Sequence, residues 1–243
     1  MKRRNVKRAA LAAGVLAAFW TVAGPAPVRA MEDDTVTTFV EVEQLEYRIR
    51  DGKESLNWDA QAWVGGDYHK LWLKSEGEAP VGERLEEAEF QVLYSRLVSD
   101  FFDLQAGLRQ DFKPEPERTF AVVGLHGLAR YFVETDLAAF VSHKGEVSFR
   151  AKGEIDLRLT QRLVLQPMAE VNLAVQSVAE RYVGSGFNDV EFGLRLRYEI
   201  AREFAPYIGV NWERKLGETA DLVRGEGERV DSFAVVAGLR FWF

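Results

Sequence analysis

Cysteine is absent from this 243-residue chain, and methionine and histidine each occur only three times. No disulfide can brace the fold, and no metal site can be built from thiolates. The same counts exclude a methionine- and histidine-rich tract of the kind that collects soft metal ions. A hydrolase that relies on a histidine base would have to use His69, His126 or His143.

Long apolar runs are also lacking after residue 30, so no membrane-spanning helix is predicted. Before that point, the basic stretch MKRRNVKR leads into a short apolar run and then into Val28-Arg29-Ala30, a sequence typical of a cleavage site. We interpret residues 1–30 as a secretory signal peptide rather than a retained anchor, because the apolar run is too short to span a bilayer. Residues 31–243 then form one exported domain.

The charge balance becomes strongly acidic once the predicted signal peptide is removed. Residues 1–30 hold six of the 31 basic side chains and none of the 38 acidic ones, which leaves 25 basic residues against 38 acidic residues. This excess argues against nucleic acid and anionic lipid headgroups as partners. It favours cations instead.

The chain is rich in strict alternation between apolar and polar residues, which is the period of a β-strand. In VSFRAKGEIDLRL (147–159), Phe149 and Ile155 fall on one face, and Arg150 and Glu154 fall on the other. A soluble sandwich shows the same pattern. The length of the segments and the aromatic residues near their ends favour a closed antiparallel transmembrane β-barrel.

Twelve such segments are predicted, and long connections alternate with short ones. An even number of strands with alternating loop lengths is typical of outer-membrane barrels. The predicted segments are 36–50, 56–64, 69–76, 86–96, 101–111, 118–127, 131–141, 147–159, 163–173, 187–200, 204–215 and 232–243.

The last segment ends on Phe241 and Phe243, and we expect it to close the barrel by pairing with the first strand. Its lipid face would consist of Phe233, Val235, Ala237, Leu239, Phe241 and Phe243. Pro167 falls inside a predicted strand, where it removes a backbone donor, so a bulge or register break is expected there.

Four stretches of the chain carry a more specific resemblance. They are LWLKSEGE, EAEFQVLYSRLVSDFFDLQAGLRQDFKPEPERTFAVVGLHGLA, LTQRLVLQP and VEFGLRLRYEIAREFAPYIGVNWERK. These strings resemble the barrel of the copper resistance protein B family, and the similarity extends from about Asp33 to Phe243. The resemblance implies an outer-membrane protein that helps cells to handle excess copper, with outer-membrane lipid and the barrel assembly machinery as partners.

The chain departs from that family in one respect. Many members carry a periplasmic extension rich in methionine and histidine, whereas here only MEDDTV lies between Ala30 and the first predicted strand. Any copper ion would therefore be weakly bound or transported by the barrel itself, or handled with a periplasmic copper protein as partner.

Candidate metal ligands are few, and no two of them have ligand spacing within one segment. The candidates are His126, Met168, Met31 and His69. Alternation places His126 and Met168 on faces that look into the lumen. A hydrogen-bonding lumenal histidine, a packed methionine, and solvated loop residues at His69 and His143 are the alternative interpretations.

The inward faces are predicted to be densely ionic. The expected lumen carboxylates are Glu46, Asp59, Glu76, Glu89, Asp103, Asp111, Glu134, Asp136, Glu154, Asp156, Glu170, Glu191, Glu199 and Glu213. The expected lumen bases are Arg109, Arg150, Lys152, Arg158, Arg195, Arg197 and Arg240. A network of salt bridges that fills a narrow barrel is one interpretation, and a polar path that attracts cations is the other.

Three functions remain open at this level. The first is a non-enzymatic barrel that binds or passes copper ions, and the second is a generic porin or structural barrel without a metal role. The third is a barrel hydrolase, which the sequence disfavours because no histidine has an evident serine and acid partner. Ser142 and His143 are neighbours in sequence, and adjacent strand residues point to opposite faces.

Overall fold

The structure is a computed structural model that describes residues 35–50 and 53–243. The predicted signal peptide and the candidate ligand Met31 lie outside the described residues. Within those residues, no helix has the length and apolar character that a membrane span requires.

The described residues form one antiparallel sheet that closes on itself. Its strands are β1 (Thr37–Arg50), β2 (Lys53–Gly65), β3 (His69–Pro80), β4 (Glu87–Ser99), β5 (Phe102–Lys113), β6 (Arg118–Leu128), β7 (Glu134–Ser142), β8 (Val147–Glu154), β9 (Leu157–Arg158), β10 (Leu163–Ala174), β11 (Gly186–Tyr198), β12 (Phe204–Lys215) and β13 (Asp231–Trp242). Each strand pairs with its neighbour along the chain, except that β8 and β9 both pair with β10. Because β8 and β9 are two pieces of one span, the barrel has twelve spans, and the predicted fold is confirmed.

The first and last strands close the barrel. Glu41 on β1 pairs with Trp242 on β13, and Tyr47 pairs with Ala237. The pairing continues past the end of β13, where Val40 and Phe243 exchange two backbone hydrogen bonds of 3.0 and 2.8 Å. No backbone edge is left open at this seam, which a strand surrounded by lipid requires.

Pro167 does not produce the expected bulge or register break, so that prediction is wrong. β10 continues through Pro167, which pairs with Leu194 on β11 in regular register. The effect appears on the other neighbour, where the strand is interrupted at Ile155 and Asp156 between β8 and β9. The register is the same on both sides of this gap, and Ile155 still donates its N–H to the Pro167 carbonyl at 3.2 Å. Because Pro167 has no N–H to donate, the ladder between β10 and the β8–β9 span is interrupted locally, and its register does not change.

The outer surface of the barrel is apolar, which is the reverse of a soluble fold. On β13 the predicted lipid face points outward, and Phe233 and Val235 are each more than half exposed. Phe192 and Trp212 stack on the same outer surface with ring centroids 5.8 Å apart. Exposed apolar bands of this size mark a surface that is covered by lipid or a partner.

The two ends of the barrel differ. The terminal end, where Thr37 and Trp242 lie, has short turns at 66–68, 100–101, 129–133, 159–162 and 199–203. The loop end has connections at 51–52, 81–86, 114–117, 143–146, 175–185 and 216–230, and the last of these contains the helix α1 (Gly217–Gly225). The longest connections, 81–86, 175–185 and 216–230, all lie at the loop end, but the expected alternation of long and short connections fails in the middle of the chain, where turn 129–133 is longer than the loop-end connections 114–117 and 143–146.

One predicted strand begins later than expected. The segment 131–141 starts instead at Glu134, because Tyr131 and Phe132 adopt left-handed backbone conformations with φ of 64° and 61°. Residues in that region cannot continue a strand.

A small apolar core lies inside the barrel, against the wall formed by β3 to β7. It consists of Trp72, Leu93, Phe120, Val122 and Phe140. Leu93, Val122 and Phe140 also line the central part of the lumen, so this core forms an apolar patch on its wall.

Candidate functional site

The lumen contains three cavities in series. A central cavity of about 50 Å³ lies between a loop-end cavity of about 620 Å³ and a terminal cavity of about 290 Å³ and shares lining residues with each. Arg150 and Lys152 line both the loop-end and the central cavity, while His126 and Glu134 line both the central and the terminal cavity. The central cavity has room for only a few water molecules, so it is the constriction of the lumen.

The central cavity has an excess of acid. Its lining carboxylates are Glu43, Asp59, Glu76, Glu134, Asp136 and Glu154, and its lining bases are Lys74, Arg150 and Lys152. His126 adds an imidazole. Because a charge in so narrow a space must be paired or hydrated, the six carboxylates exceed what three bases can neutralise.

A β-bulge in β1 supplies one of these carboxylates. The register between β1 and β2 shifts by one residue between Val42 and Gln44, which makes Glu43 the extra residue. Glu41, Gln44 and Glu46 are all buried. The bulge therefore adds Glu43 to the series of side chains that point inward and places it in the central cavity.

Arg150 is the hub of the ionic network at the loop-end side of the constriction. Its guanidinium lies 3.1 Å from Glu76, 3.0 Å from Glu89 and 3.4 Å from Glu170. Arg109 contacts Glu89 as well, at 2.7 Å. Planar guanidinium groups suit such multiple contacts with carboxylates, so these side chains are held in fixed positions.

Lys152 contacts two carboxylates that come from different strands. Its ammonium lies 2.9 Å from Asp59 on β2 and 3.4 Å from Glu43 on β1. All three side chains are at least four-fifths buried. This contact crosses the lumen, since β8 lies on the opposite wall from β1 and β2.

His126 stands where the central cavity meets the terminal cavity. Its Nδ1 lies 3.5 Å from Asp136, and its Nε2 lies 4.0 Å from Glu134. The ring meets Trp72 edge to face with centroids 5.1 Å apart. Nδ1 is buried without a hydrogen-bond partner, and Asp136 also receives an ion pair from Lys74. An unpaired imidazole nitrogen beside two carboxylates can accept a cation or a water molecule.

A second ionic layer closes the other side of the lumen. Glu46 is fully buried between Arg195, at 2.8 Å, and Arg48, at 2.6 Å. Arg48 also lies 3.6 Å from Glu191. Every charge in this group has an oppositely charged neighbour, so the group is best understood as a structural ion-pair network.

Arginines also pair with acids near the terminal end. Arg240 contacts Glu41 at 2.7 Å, and Arg197 contacts Asp156 at 2.5 Å. Arg158, which was expected in the lumen, is instead exposed on β9, because β9 is the last piece of its strand before the turn at the terminal end. It therefore does not contribute to the lumen in the manner predicted.

The rings of Phe39, Trp72 and Trp242 line the terminal cavity, and the ring of Trp63 packs against Phe39 and Trp72. The ring centroid of Phe39 lies 6.0 Å from that of Trp242 and 5.9 Å from that of Trp63. The ring centroids of Trp63 and Trp72 are 6.2 Å apart. The ammonium of Lys70 lies over Trp63 at 5.7 Å. This arc of rings offers faces on which cations can rest.

At the loop end, connection 175–185 folds across the opening. Arg118 is almost fully buried and pairs with Glu146 and Glu180, while Arg181 lies 2.8 Å from Asp111. Hydrogen bonds from Lys144 and Arg118 lower the pKa of Glu180. Burial acts to raise the pKa of Glu146, but hydrogen bonds from Ser142 and Arg118 outweigh it and leave that pKa lowered.

Helix α1 packs beside that connection. Thr219 accepts a hydrogen bond from the Gly184 N–H at 2.8 Å, and Glu218 accepts two from Ser185. These bonds from the backbone and side chain of Ser185, with one from Ser177, lower the pKa of Glu218. The last two loop-end connections are thus fastened to each other.

The remaining predicted ligands lie apart from His126. Met168 is buried and lines the loop-end cavity, next to Gly193. His69 lies on the outer surface, where it bonds to Tyr94 at 2.5 Å, and His143 lies in a turn beside Thr119. Across the described residues, no three histidine or acidic side chains are already arranged to hold a metal ion.

Two acidic residues in the lumen are missed when only regular alternation is considered. Glu41 and Glu43 alternate in phase with each other and out of phase with Glu46. That change of phase in VEVEQLEY is the signal of the bulge, because an inserted residue switches the face of all residues before it. No comparable feature of the sequence predicts that the rings of Trp63 and Trp242 both contact Phe39.

Comparison with known proteins agrees with this architecture. Residues 36–243 match the family described as Copper resistance protein B precursor (CopB). Copper resistance protein B of Escherichia coli is 46% identical over 214 residues, which cover 88% of this chain and 72% of that protein. The Copper resistance protein B homolog of Pseudomonas syringae pv. tomato (strain ATCC BAA-871 / DC3000) is 42% identical over 213 residues, with the same two shares covered.

A solved structure shares the fold alone. The NanC porin superposes with a TM-score of 0.56 at 13% sequence identity, and the match covers 83% of this chain and 98% of the porin. The family match spans every strand of the barrel, including the closing strand and the bulged β1. The chain therefore belongs to the copper resistance protein B family.

Proposed function

We propose that this protein is a non-enzymatic outer-membrane barrel that binds and passes copper ions through its acidic lumen. The observation that carries the proposal is the central cavity, where six carboxylates outnumber three bases between two larger cavities. A narrow acidic passage with low-dielectric walls raises the local concentration of cations. We propose copper as the cation because the chain belongs to the copper resistance protein B family and the two relatives described above bear that name.

The donor atoms determine how such an ion is held. Carboxylate oxygens and the single imidazole of His126 suit copper(II), whereas copper(I) prefers sulfur ligands. Met168 is the one sulfur ligand among the described residues, and it lines a different cavity from His126. Copper is therefore held weakly and in transit, with no tightly bound cofactor.

The outer surface of the barrel and its two ends indicate which parts contact lipid and which face the periplasm. The apolar outer band is suited to outer-membrane lipid, and the short-turn end is suited to the periplasm. In the same proposal, the barrel assembly machinery inserts the protein into the outer membrane, and the barrel exchanges copper with a periplasmic copper protein. No nucleic-acid partner is included, because the chain is acidic.

The test is a flux measurement on purified barrel in liposomes. Entry of copper(II) is compared with that of sodium and of a neutral sugar of similar hydrated size. We expect copper(II) to enter faster than the sugar, and the double variant D59N/E76Q to slow copper(II) by about tenfold, as loss of electrostatic focusing implies.

A matched control removes two acids that lie outside the lumen. Glu115 and Asp221 are both about three-quarters exposed in loop-end connections, so E115Q/D221N should leave the flux unchanged. Equal rates for copper, sodium and sugar would instead identify a generic porin, and no flux or copper binding at all would identify a structural barrel.

A further inference from the structure

We propose that the ammonium of Lys152 occupies a divalent-cation site formed by Asp59 and Glu43, and that an entering cation displaces it. The proposal deepens the proposed function and rests on it, because a cation must first be able to enter the lumen. The ligand class is a divalent cation that accepts oxygen donors, and the site lies at the constriction.

The position of the ammonium is the first observation. Lys152 places a positive charge 2.9 Å from Asp59 and 3.4 Å from Glu43, on the line that joins the loop-end and central cavities. Two carboxylates from separate strands, with water completing the shell, are a common way of holding a divalent ion. A lysine ammonium here acts as a tethered substitute for that ion.

An unpartnered oxygen is the second observation. The Glu43 side chain is nine-tenths buried and lines the central cavity beside the Glu154 carboxyl group, and its Oε1 receives no hydrogen bond from a basic side chain. A carboxylate oxygen that is buried without a partner is costly, and a doubly charged ion would satisfy it in a way that the single ammonium does not. The bulge that brings Glu43 into the lumen is therefore what makes the site possible.

The chemistry of lysine is the third observation. A lysine ammonium is a point charge on a flexible stem, whereas Arg150 is held by three carboxylates at once. Asp136 lies directly opposite Lys152 on β7, so a displaced ammonium has another carboxylate within reach. The ammonium can leave the site and return without breaking the rest of the network.

The described residues contain no group of three or more histidine or acidic side chains that could hold a metal ion, and a site of two carboxylates needs no such group. Asp59 and Glu43 both contact the Lys152 ammonium, which therefore stands where the ion would lie. Entry of a cation requires this ammonium to move. Lys152 would thus hold the constriction closed to weakly attracted ions.

The experiment measures binding of Mn²⁺ to the full barrel in detergent micelles at pH 7, by electron paramagnetic resonance of the free ion. The variant K152M removes the charge and keeps the length of the side chain. We expect it to bind one Mn²⁺ at least about tenfold more tightly than the wild type, because a competing unit charge about 3 Å from the carboxylates is gone. The double variant K152M/E43Q should lose that gain.

Lys70 provides the matched control. Its ammonium lies 2.9 Å from a single carboxylate, Asp103, and it does not line the central cavity. K70M should therefore bind Mn²⁺ as weakly as the wild type, and so should K152R, which retains the charge. Heat-modifiable gel migration checks that each variant is folded, and K152Q replaces K152M if the latter does not assemble.

The outcomes separate this inference from the proposed function. Equal Mn²⁺ binding by K152M or its substitute K152Q and the wild type, or an equal gain in K70M, overturns the displacement site even if the wild type passes copper. Tight binding by K152M that disappears with E43Q supports the site even if the wild type passes no copper in liposomes.

Discussion

Val40 and Phe243 face each other across the seam of the barrel and exchange two backbone hydrogen bonds, of 3.0 and 2.8 Å. The seam continues along β1 and β13 as far as Ile49 and Val235. The final residues of the chain therefore complete the ladder between the first and last strands.

Deletion of 241–243 should block assembly, because it exposes the paired edge of β1 to lipid. The measurement is the amount of heat-modifiable barrel in the outer-membrane fraction. The variant F243A keeps the backbone bonds and removes only the side chain, so it should assemble better than the deletion. Normal membrane levels of the deletion variant would contradict this account of the seam.

Loss of Arg195 should destabilise the barrel strongly. Glu46 is completely buried between Arg195 and Arg48, and removing one partner from a buried ion pair typically costs about 3–5 kcal/mol. We expect R195M to lower the free energy of unfolding in urea by an amount of that order. Adding E46Q to R195M should recover part of the loss, because the uncompensated charge is then removed.

The exposed pair Arg224 and Asp221 provides the comparison for that measurement. Both side chains are more than half exposed, so R224M should change the free energy of unfolding by less than about 1 kcal/mol. An R195M variant as stable as R224M would show that the Glu46 charge is relieved in some other way.

Copper binding should depend on His126 and Met168 independently. They line different cavities, and independent sites give additive effects. Titration of folded barrel with copper(II) should be weakened mainly by H126A, and titration with copper(I) mainly by M168A. The double variant should show the sum of the two effects. A tight stoichiometric site that survives in the double variant would mean that other ligands hold the metal.

Connection 175–185 should loosen in acid. The pKa of Glu180 is lowered from its ordinary value of 4.5 by hydrogen bonds from Lys144 and Arg118. A carboxylate whose pKa is lowered in the folded state stabilises that state fully above its unfolded pKa and progressively less as the pH falls through the folded value. The contact should therefore be complete at neutral pH and weaken below about pH 4.5.

A single label can report that change, because the chain has no cysteine. We expect a spin label at V175C to become more mobile when the pH is lowered from 7 to 3. Adding E180Q should make the label mobile at pH 7 already. A V175C label whose mobility neither changes with pH nor rises when E180Q is added would show that Arg181 and Asp111 hold the connection without Glu180.

Alternation in the sequence is sufficient to predict twelve spans, the closing strand and most inward and outward faces, but it misses the inward position of Glu41 and Glu43 before the bulge. The outer face of a strand surrounded by lipid must be apolar, so the period of two is legible in segments such as 147–159 and 232–243. β7 begins later than the alternation predicts because Tyr131 and Phe132 continue the apolar pattern while their backbone is left-handed. Pro167 leaves its own strand regular, and its missing N–H donor interrupts the neighbouring strand instead.

By itself, then, the sequence determined the barrel, its acidity and the face on which His126, Met168 and most of the lumen carboxylates lie. Those properties depend on local periodicity and on composition. Only the tertiary structure decided which of those groups meet. Lys152 reaches Asp59 and Glu43 across the lumen, and His126 lies in a different cavity from Met168. Such contacts depend on strand register and on the curvature that brings opposite walls together, and neither is encoded in a single segment.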